Sequence, residues 1–286
     1  MTKKMIYDEI EIRRLKSYAQ KIAKNNYDKN YTDLSLDELK EILSIIDRYG
    51  SKYLQFYKFN NDNDKITFIS NLSKYSYQPI FNFEEQEKLK KVFVHKTSNN
   101  EGFEIMINFE VMEEIWESNE DNTIKEKKYI PRRRVLYIHN IRNYVILSID
   151  PVGIGRAVAG TEHLEKYKNQ IEEILTNSLF DRINKLDIEE TIKNLIENLT
   201  LTAKGVKYED RQTARETTTL CKNSQDNLKD IIVKLPQNMN IQDLKLKYKK
   251  ASLELFNRDL LKIISRANKE IHDEIKTSII SILQEE

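Results

Sequence analysis

Apolar positions recur at helical spacing near both ends of the chain and alternate with polar ones in its middle. Close to the N-terminus Ile10, Leu15, Tyr18 and Ile22 follow a helical period, with Arg13, Arg14, Lys21 and Lys24 on other faces. A second stripe, Leu36, Leu39, Ile42, Leu43 and Ile46, begins after Asp33 and Ser35, either of which can cap a helix, and stops at Gly50. A third apolar group, Ile66, Phe68, Ile69 and Leu72, follows the polar residues 60–64. The period then falls to two. Phe103, Ile105, Ile107 and Phe109 alternate with Glu104, Met106, Asn108 and Glu110, the pattern of a half-buried strand. Residues 135–139 and 144–149 are short runs rich in β-branched and aromatic side chains, and the polar stretch Asn140-Ile141-Arg142-Asn143 between them predicts a hairpin. Residues 91–95 predict a further strand.

After Gly160 the pattern returns to helix. Thr161 starts a predicted helix to about residue 180, and Asp187 with Glu190 three positions on marks the start of another. Leu260, Ile264, Ala267, Ile271, Ile275, Ile279 and Ile282 then step by three and four, a coiled-coil-like seam that suits self-packing, self-association or a protein partner. Together these elements predict an α+β chain that is mainly helical. It divides into an N-terminal helical domain over 1–80, a small central antiparallel sheet over 81–160 and a C-terminal helical bundle over 161–286.

Composition narrows the function classes. A chain of 286 residues buries a core without cross-links. With Gly 6 and Pro 4 it has too few turn residues for a loop-rich β-sandwich or a collagen-like chain. The lone Cys221 excludes an intrachain disulfide framework and a zinc-finger cluster, and fits a reducing, cytoplasmic setting. No apolar run has the length of a membrane span, and the first residues lack a secretory signal's apolar segment. The wealth of Lys, Asn and Ile fits an AT-rich bacterial or phage genome.

A net charge of +1 leaves no global field to attract nucleic acid or membrane, but the charge is segregated locally. Residues 97–124 hold eight acidic side chains and no basic one; residues 125–156 hold eight basic and two acidic. Two readings follow. Lys127, Lys128, Arg132, Arg134, Arg142 and Arg156 contact a phosphate backbone, with Tyr129, Tyr137 and Tyr144 as stacking surfaces. Alternatively, the acidic and basic blocks pair with each other across neighbouring strands. Arg156 also lies in the segment 150–160, which holds half of the glycines and suits either a tight connection or an anion-binding loop.

Two local patterns resemble known families. Leu36, Leu39 and Leu43, followed by Lys65, Ile66, Ile69 and Leu72, resemble the SAP-type DNA-binding module, which implies a small helical DNA reader. Arg266 and His272, in Arg-Ala-Asn-Lys-Glu-Ile-His, resemble the Arg-x5-His motif of HEPN-type ribonucleases, which implies metal-independent RNA cleavage by a helical bundle, with His272 as acid/base. Six positions on an unbroken helix leave those two side chains on different faces. No HExxH, CxxC or GxSxG pattern occurs, and we expect no catalytic residue, metal or cofactor. The expected function is a non-catalytic nucleic-acid-binding or adaptor subunit of a larger intracellular complex. A HEPN-like ribonuclease and a structural scaffold are the alternatives.

Overall fold

A computed structural model of the chain describes residues 2–12, 16–73, 80–81, 91–99, 102–118, 125–149, 180–198, 200–210, 216–220, 225–233, 235, 239–264 and 269–285. In chain order, helices α1 (Lys3–Ile12), α2 (Lys16–Tyr27) and α3 (Leu36–Arg48) precede strand β1 (Lys52–Phe59) and helix α4 (Asp62–Ser73). Strands β2 (Ile80–Phe81), β3 (Lys91–Asn99), β4 (Gly102–Ser118), β5 (Lys125–Ile141), β6 (Tyr144–Ile149) and β7 (Ile183–Lys185) follow. Then come α5 (Glu189–Glu197), β8 (Thr202–Asp210), β9 (Glu216–Leu220), α6 (Gln225–Val233), β10 (Met239–Tyr248), β11 (Ala251–Phe256), β12 (Leu260–Ile263) and α7 (Lys269–Glu285). Contacts divide the chain into two compact units, one of Met1–Leu54 with Asp187–Glu286, the other of Gln55–Leu186.

In the first unit α1, α2 and α3 bury a shared apolar cluster that includes Ile6, Ile10, Ala19, Leu39 and Ile42. Helix α3 starts where the capping residues stand. Ser35 Oγ accepts from the Glu38 backbone N–H at 3.2 Å, and a Glu38 carboxylate oxygen accepts from the Ser35 N–H at 2.7 Å. Replacing Ser35 with Ala removes one half of that box and should cost about 1 kcal/mol. The expected result in urea unfolding is a lower midpoint at unchanged slope.

The same unit contains an antiparallel run in the order β12-β11-β10-β8-β9. Helix α5 has Ile188 at its N-cap, without a side-chain cap and without the predicted Asp187–Glu190 box; the Asp187 carboxylate accepts from the Glu189 N–H at 2.9 Å, and Arg258 bridges Asp187 at 2.7 Å and the buried Glu189 at 2.8 Å. The second unit contains the order β2-β3-β4-β5-β6 and then β1, with β7 paired to β1.

The predicted hairpin forms as β5 and β6, with Ile141 opposite Tyr144 and a two-residue turn at Arg142-Asn143. Residues 91–95 and 103–109 are strand, within β3 and β4. The chain, however, is not mainly helical, and its C-terminal part is not a helical bundle. Residues 202–263 contribute five strands, β8–β12. Leu244 and Leu246, and Ala251, Leu253 and Leu255, are buried alternately with more exposed Lys245, Lys247, Ser252 and Glu254. That is a strand period, disguised because the intervening turn uses Lys249 at φ 50° where a glycine would have announced it. Leu260, the first residue of the apparent seam, lies in β12, and Ile264 immediately after it.

The central sheet is also not small: β4 and β5 run for 17 residues each. Nor is the N-terminal region only helical. Strand β1 buries seven of its eight residues, so neither of its faces is polar and no alternation marks it. Because β1 stands between α3, which carries Leu36, Leu39 and Leu43, and α4, which carries Lys65, Ile66, Ile69 and Leu72, the SAP-like helical pair does not form. The predicted helix after Thr161 lies outside the described residues as far as 179. Among the described residues no helix is long and apolar enough to cross a membrane.

Candidate nucleic-acid interface

Strands β4 and β5 pair antiparallel from Glu104↔His139 to Ser118↔Lys125. Their neighbours are shorter. Strand β3 meets β4 only from Gly102 to Phe109, and β6 meets β5 only from Leu136 to Ile141. Among the described residues, 110–118 and 125–133 therefore pair only with each other, as a two-stranded ribbon whose β5 strand continues without an outer neighbour to Val135. At ~3.3 Å per residue its β5 side runs roughly 36 Å.

The charge blocks fall on opposite strands of this ribbon, so the register decides whether they neutralise each other. Lys125 stands opposite Ser118, Lys127 opposite Trp116, Lys128 opposite Ile115, Arg132 opposite Val111 and Arg134 opposite Phe109. Arg133 alone among these six basic residues faces an acidic one directly, Glu110. Glu113 is diagonal to both Lys128 and Arg132, Glu114 to Lys127 and Glu117 to Lys128, more distant relations than a direct pair. Glu117 stands opposite Glu126, a like-charge pair that works against pairing there.

The sequence-predicted residues do not form one cluster. Lys127, Lys128, Arg132 and Arg134 share the ribbon strand, whereas Arg142 occupies the turn at the other end of β5, eight residues beyond Arg134, or roughly 27 Å of strand. Arg142 is exposed, with φ 54°, a left-handed conformation uncommon outside glycine. The turn is held through its carbonyl, which accepts from Asn140 Nδ2 at 2.6 Å and Lys65 Nζ at 2.8 Å. Asn140 Nδ2 also donates to Tyr144 O at 2.9 Å. Near it, Arg182 pairs with Asp64 at 2.8 Å, and Lys58 Nζ lies 5.6 Å from the centre of the Tyr144 ring. Arg156 and the rest of the glycine-rich segment lie outside the described residues from 150 on.

Two of the three proposed stacking tyrosines are unavailable. Tyr137 and Tyr144 are 1% and 4% exposed and belong to the core. Tyr129 remains on the ribbon, opposite Glu114, and Trp116 stands diagonal to it. Trp116 was not among the residues the sequence suggested, because the recognisable alternation ends at Phe109. The available signal was its being the one Trp in the chain, next to the basic block.

The other chemically suggestive residue is buried. His272 is fully buried in the first unit, its Nε2 donating to Gly50 O at 2.7 Å and its ring edge-on to Tyr49 at 5.7 Å between centroids. Burial, reinforced by Lys276 one turn away and by Lys52 on β1, lowers its pKa to about 3, against the opposing effect of the Gly50 contact. An imidazole held neutral in the core cannot present a proton to RNA. Arg266 lies outside the described residues. Around His272, the face of α7 that the chain buries comprises Ile275, Lys276, Ile279, Ile280 and Leu283, whereas Ile271 and Ile282 are half-buried. Among the described residues no group of His, Cys, Asp and Glu is arranged to hold a metal ion.

The sequence matches no protein-family model and no curated protein. Among solved structures it is similar, at 7% identity and a TM-score of 0.12, to the DnaN sliding clamp (DNA polymerase III subunit beta) from Bartonella birtlesii bound to griselimycin. That alignment covers 76% of this chain and 66% of the clamp chain, just under two thirds of its length. A score of this size carries no argument about fold or function.

Proposed function

We propose that this chain is a non-catalytic nucleic-acid-binding or adaptor subunit of a larger cytoplasmic complex, and that it contacts the phosphate backbone along β5. The observation that carries this reading is the β4–β5 register, in which five of six basic residues of the ribbon stand opposite uncharged residues. Cations without a direct acidic partner keep their attraction for phosphates, and each phosphate they neutralise releases counterions. The contacting residues are Lys127, Lys128, Arg132 and Arg134. Arg142 and Arg156 are secondary members of the interface, Arg142 at the opposite end of the strand. Direct cross-strand pairing of the two blocks accounts for Arg133 with Glu110; Lys127, Lys128 and Arg132 have acidic residues only at diagonal positions, and Arg134 has none in the register.

The test is a fluorescence-anisotropy titration of labelled single- and double-stranded oligonucleotides at two salt concentrations, beside a thermal melt. Four phosphate contacts give slopes of log K against log salt of about −2.8 for a single strand and about −3.6 for duplex DNA. Absence of binding at low salt, with a melting temperature that drops when Arg132 and Arg134 are reversed in charge, would favour the internal-pairing account.

A further inference from the structure

We infer that the ligand of the ribbon is single-stranded nucleic acid, with bases stacked on Trp116 and Tyr129 while the backbone follows the outer edge of β5; this rests on the reading of the ribbon as a phosphate-binding element. Three features of the register lead to it.

Residues 125–135 have no neighbouring strand on their outer side among the described residues, so an extended chain can lie along that edge. The other strand of the ribbon, β4, carries Glu110, Glu113, Glu114 and Glu117, which repel phosphate. Only one side of the ribbon therefore attracts a backbone. A ribbon inserted in a duplex groove has phosphates on both sides, and its acidic strand would face one of those rows; a single strand presents only one backbone.

The third feature is aromatic. Lys125, Lys127, Tyr129, Pro131 and Arg133 occupy alternate positions of β5, and the same alternation on β4 holds Trp116 opposite Lys127. Tyr129 and Trp116 are thus diagonal neighbours in one alternation with Lys125, Lys127 and Arg133, and with Glu114 and Glu110 of β4, while Lys128, Arg132 and Arg134 take the other alternation along the same edge. Aromatic surfaces next to a basic track are how sequence-tolerant single-strand binders work, because every base has a π-face whereas a duplex keeps its bases stacked on each other. The sugar is left open by this chemistry, so DNA and RNA single strands form two arms of the test.

Trp116 is the one Trp in the chain and reports on its own site. Titration of the full chain with oligo(dT) and with oligo(U) should quench its emission, saturating at the midpoint that anisotropy gives for the same labelled strands. An equal length of duplex should leave the emission nearly unchanged. Trp116→Ala and Tyr129→Ala should each weaken single-strand binding about fivefold or more, and Trp116→Phe should recover most of that loss. Far-UV circular dichroism of the variants checks that they remain folded. If single strands bind but the emission does not change and Trp116→Ala binds as well as wild type, stacking is wrong while the backbone reading stands. Equal quenching by duplex also overturns the single-strand assignment. If no oligonucleotide binds at low salt, the backbone reading itself fails.

Discussion

Binding of a single-stranded oligonucleotide should weaken about 50-fold between 50 and 200 mM monovalent salt, as four phosphate contacts at about −0.7 each require. In the double variant Arg132→Glu, Arg134→Glu the same change of salt should weaken binding only about 7-fold, because two contacts remain. The variant's affinity at low salt should also be much lower for every sequence, since two attractive charges become repulsive. Its thermal stability should change little. Arg132 and Arg134 face Val111 and Phe109 across the register, so reversing their charge creates no directly opposed like-charge pair. Anisotropy titrations of both proteins at the two salt concentrations measure the slopes, and a melt of each supplies the control. A salt slope that is the same in variant and wild type would remove Arg132 and Arg134 from the interface.

Acid should destabilise the first unit through His272, by about 3 kcal/mol between neutral pH and pH 4.5. The sign follows from which state takes up the proton. In the unfolded chain a histidine titrates near 6.5, whereas in the folded chain the pKa of His272 falls to about 3. Between those values the unfolded state binds a proton that the folded state refuses, so stability is fully present above about pH 6.5 and declines as pH falls toward 3. Each pH unit in that window costs about 1.4 kcal/mol. The causes are geometric: the ring is buried, with Lys276 on its own helix and Lys52 on β1 disfavouring a third positive charge nearby. Urea unfolding at pH 7.5 and 4.5, compared between wild type and His272→Gln, isolates this contribution from that of the carboxylates. The variant should lose less stability on acidification, even if it starts lower for want of the contact with Gly50 O. Equal acid sensitivity in the two proteins would show that His272 is not the responsive group.

How much of this was readable in advance depended on whether local chemistry announced itself. Ser35 before α3, Asp187 before α5, and the alternation of residues 103–109 are local signals, and a helix or strand stands at or within two residues of each. The apolar steps from Leu260 to Ile282 were equally regular, yet they spanned a strand, a segment outside the described residues and a helix. A three-and-four spacing is necessary for a helical seam but does not exclude a strand that happens to begin with leucine. Strand β1 escaped for the opposite reason, because burial on both faces removes the polar positions that reveal a period.

The candidate interface divides in the same way. The sequence by itself determined that residues 97–124 are acidic and 125–156 basic, and that a hairpin turns within residues 140–143. It also confined the chain's one Trp to the acidic block. Only the tertiary structure decided which residues face one another. A shift of one position would have changed every opposite pair and put other residues across from Lys127, Lys128, Arg132 and Arg134. It also withdrew Tyr137 and Tyr144 into the core and left the β5 edge before Leu136 without a described neighbour. Charge content is a property of the chain, but its neutralisation, and with it any attraction for a phosphate backbone, depends on strand register and burial.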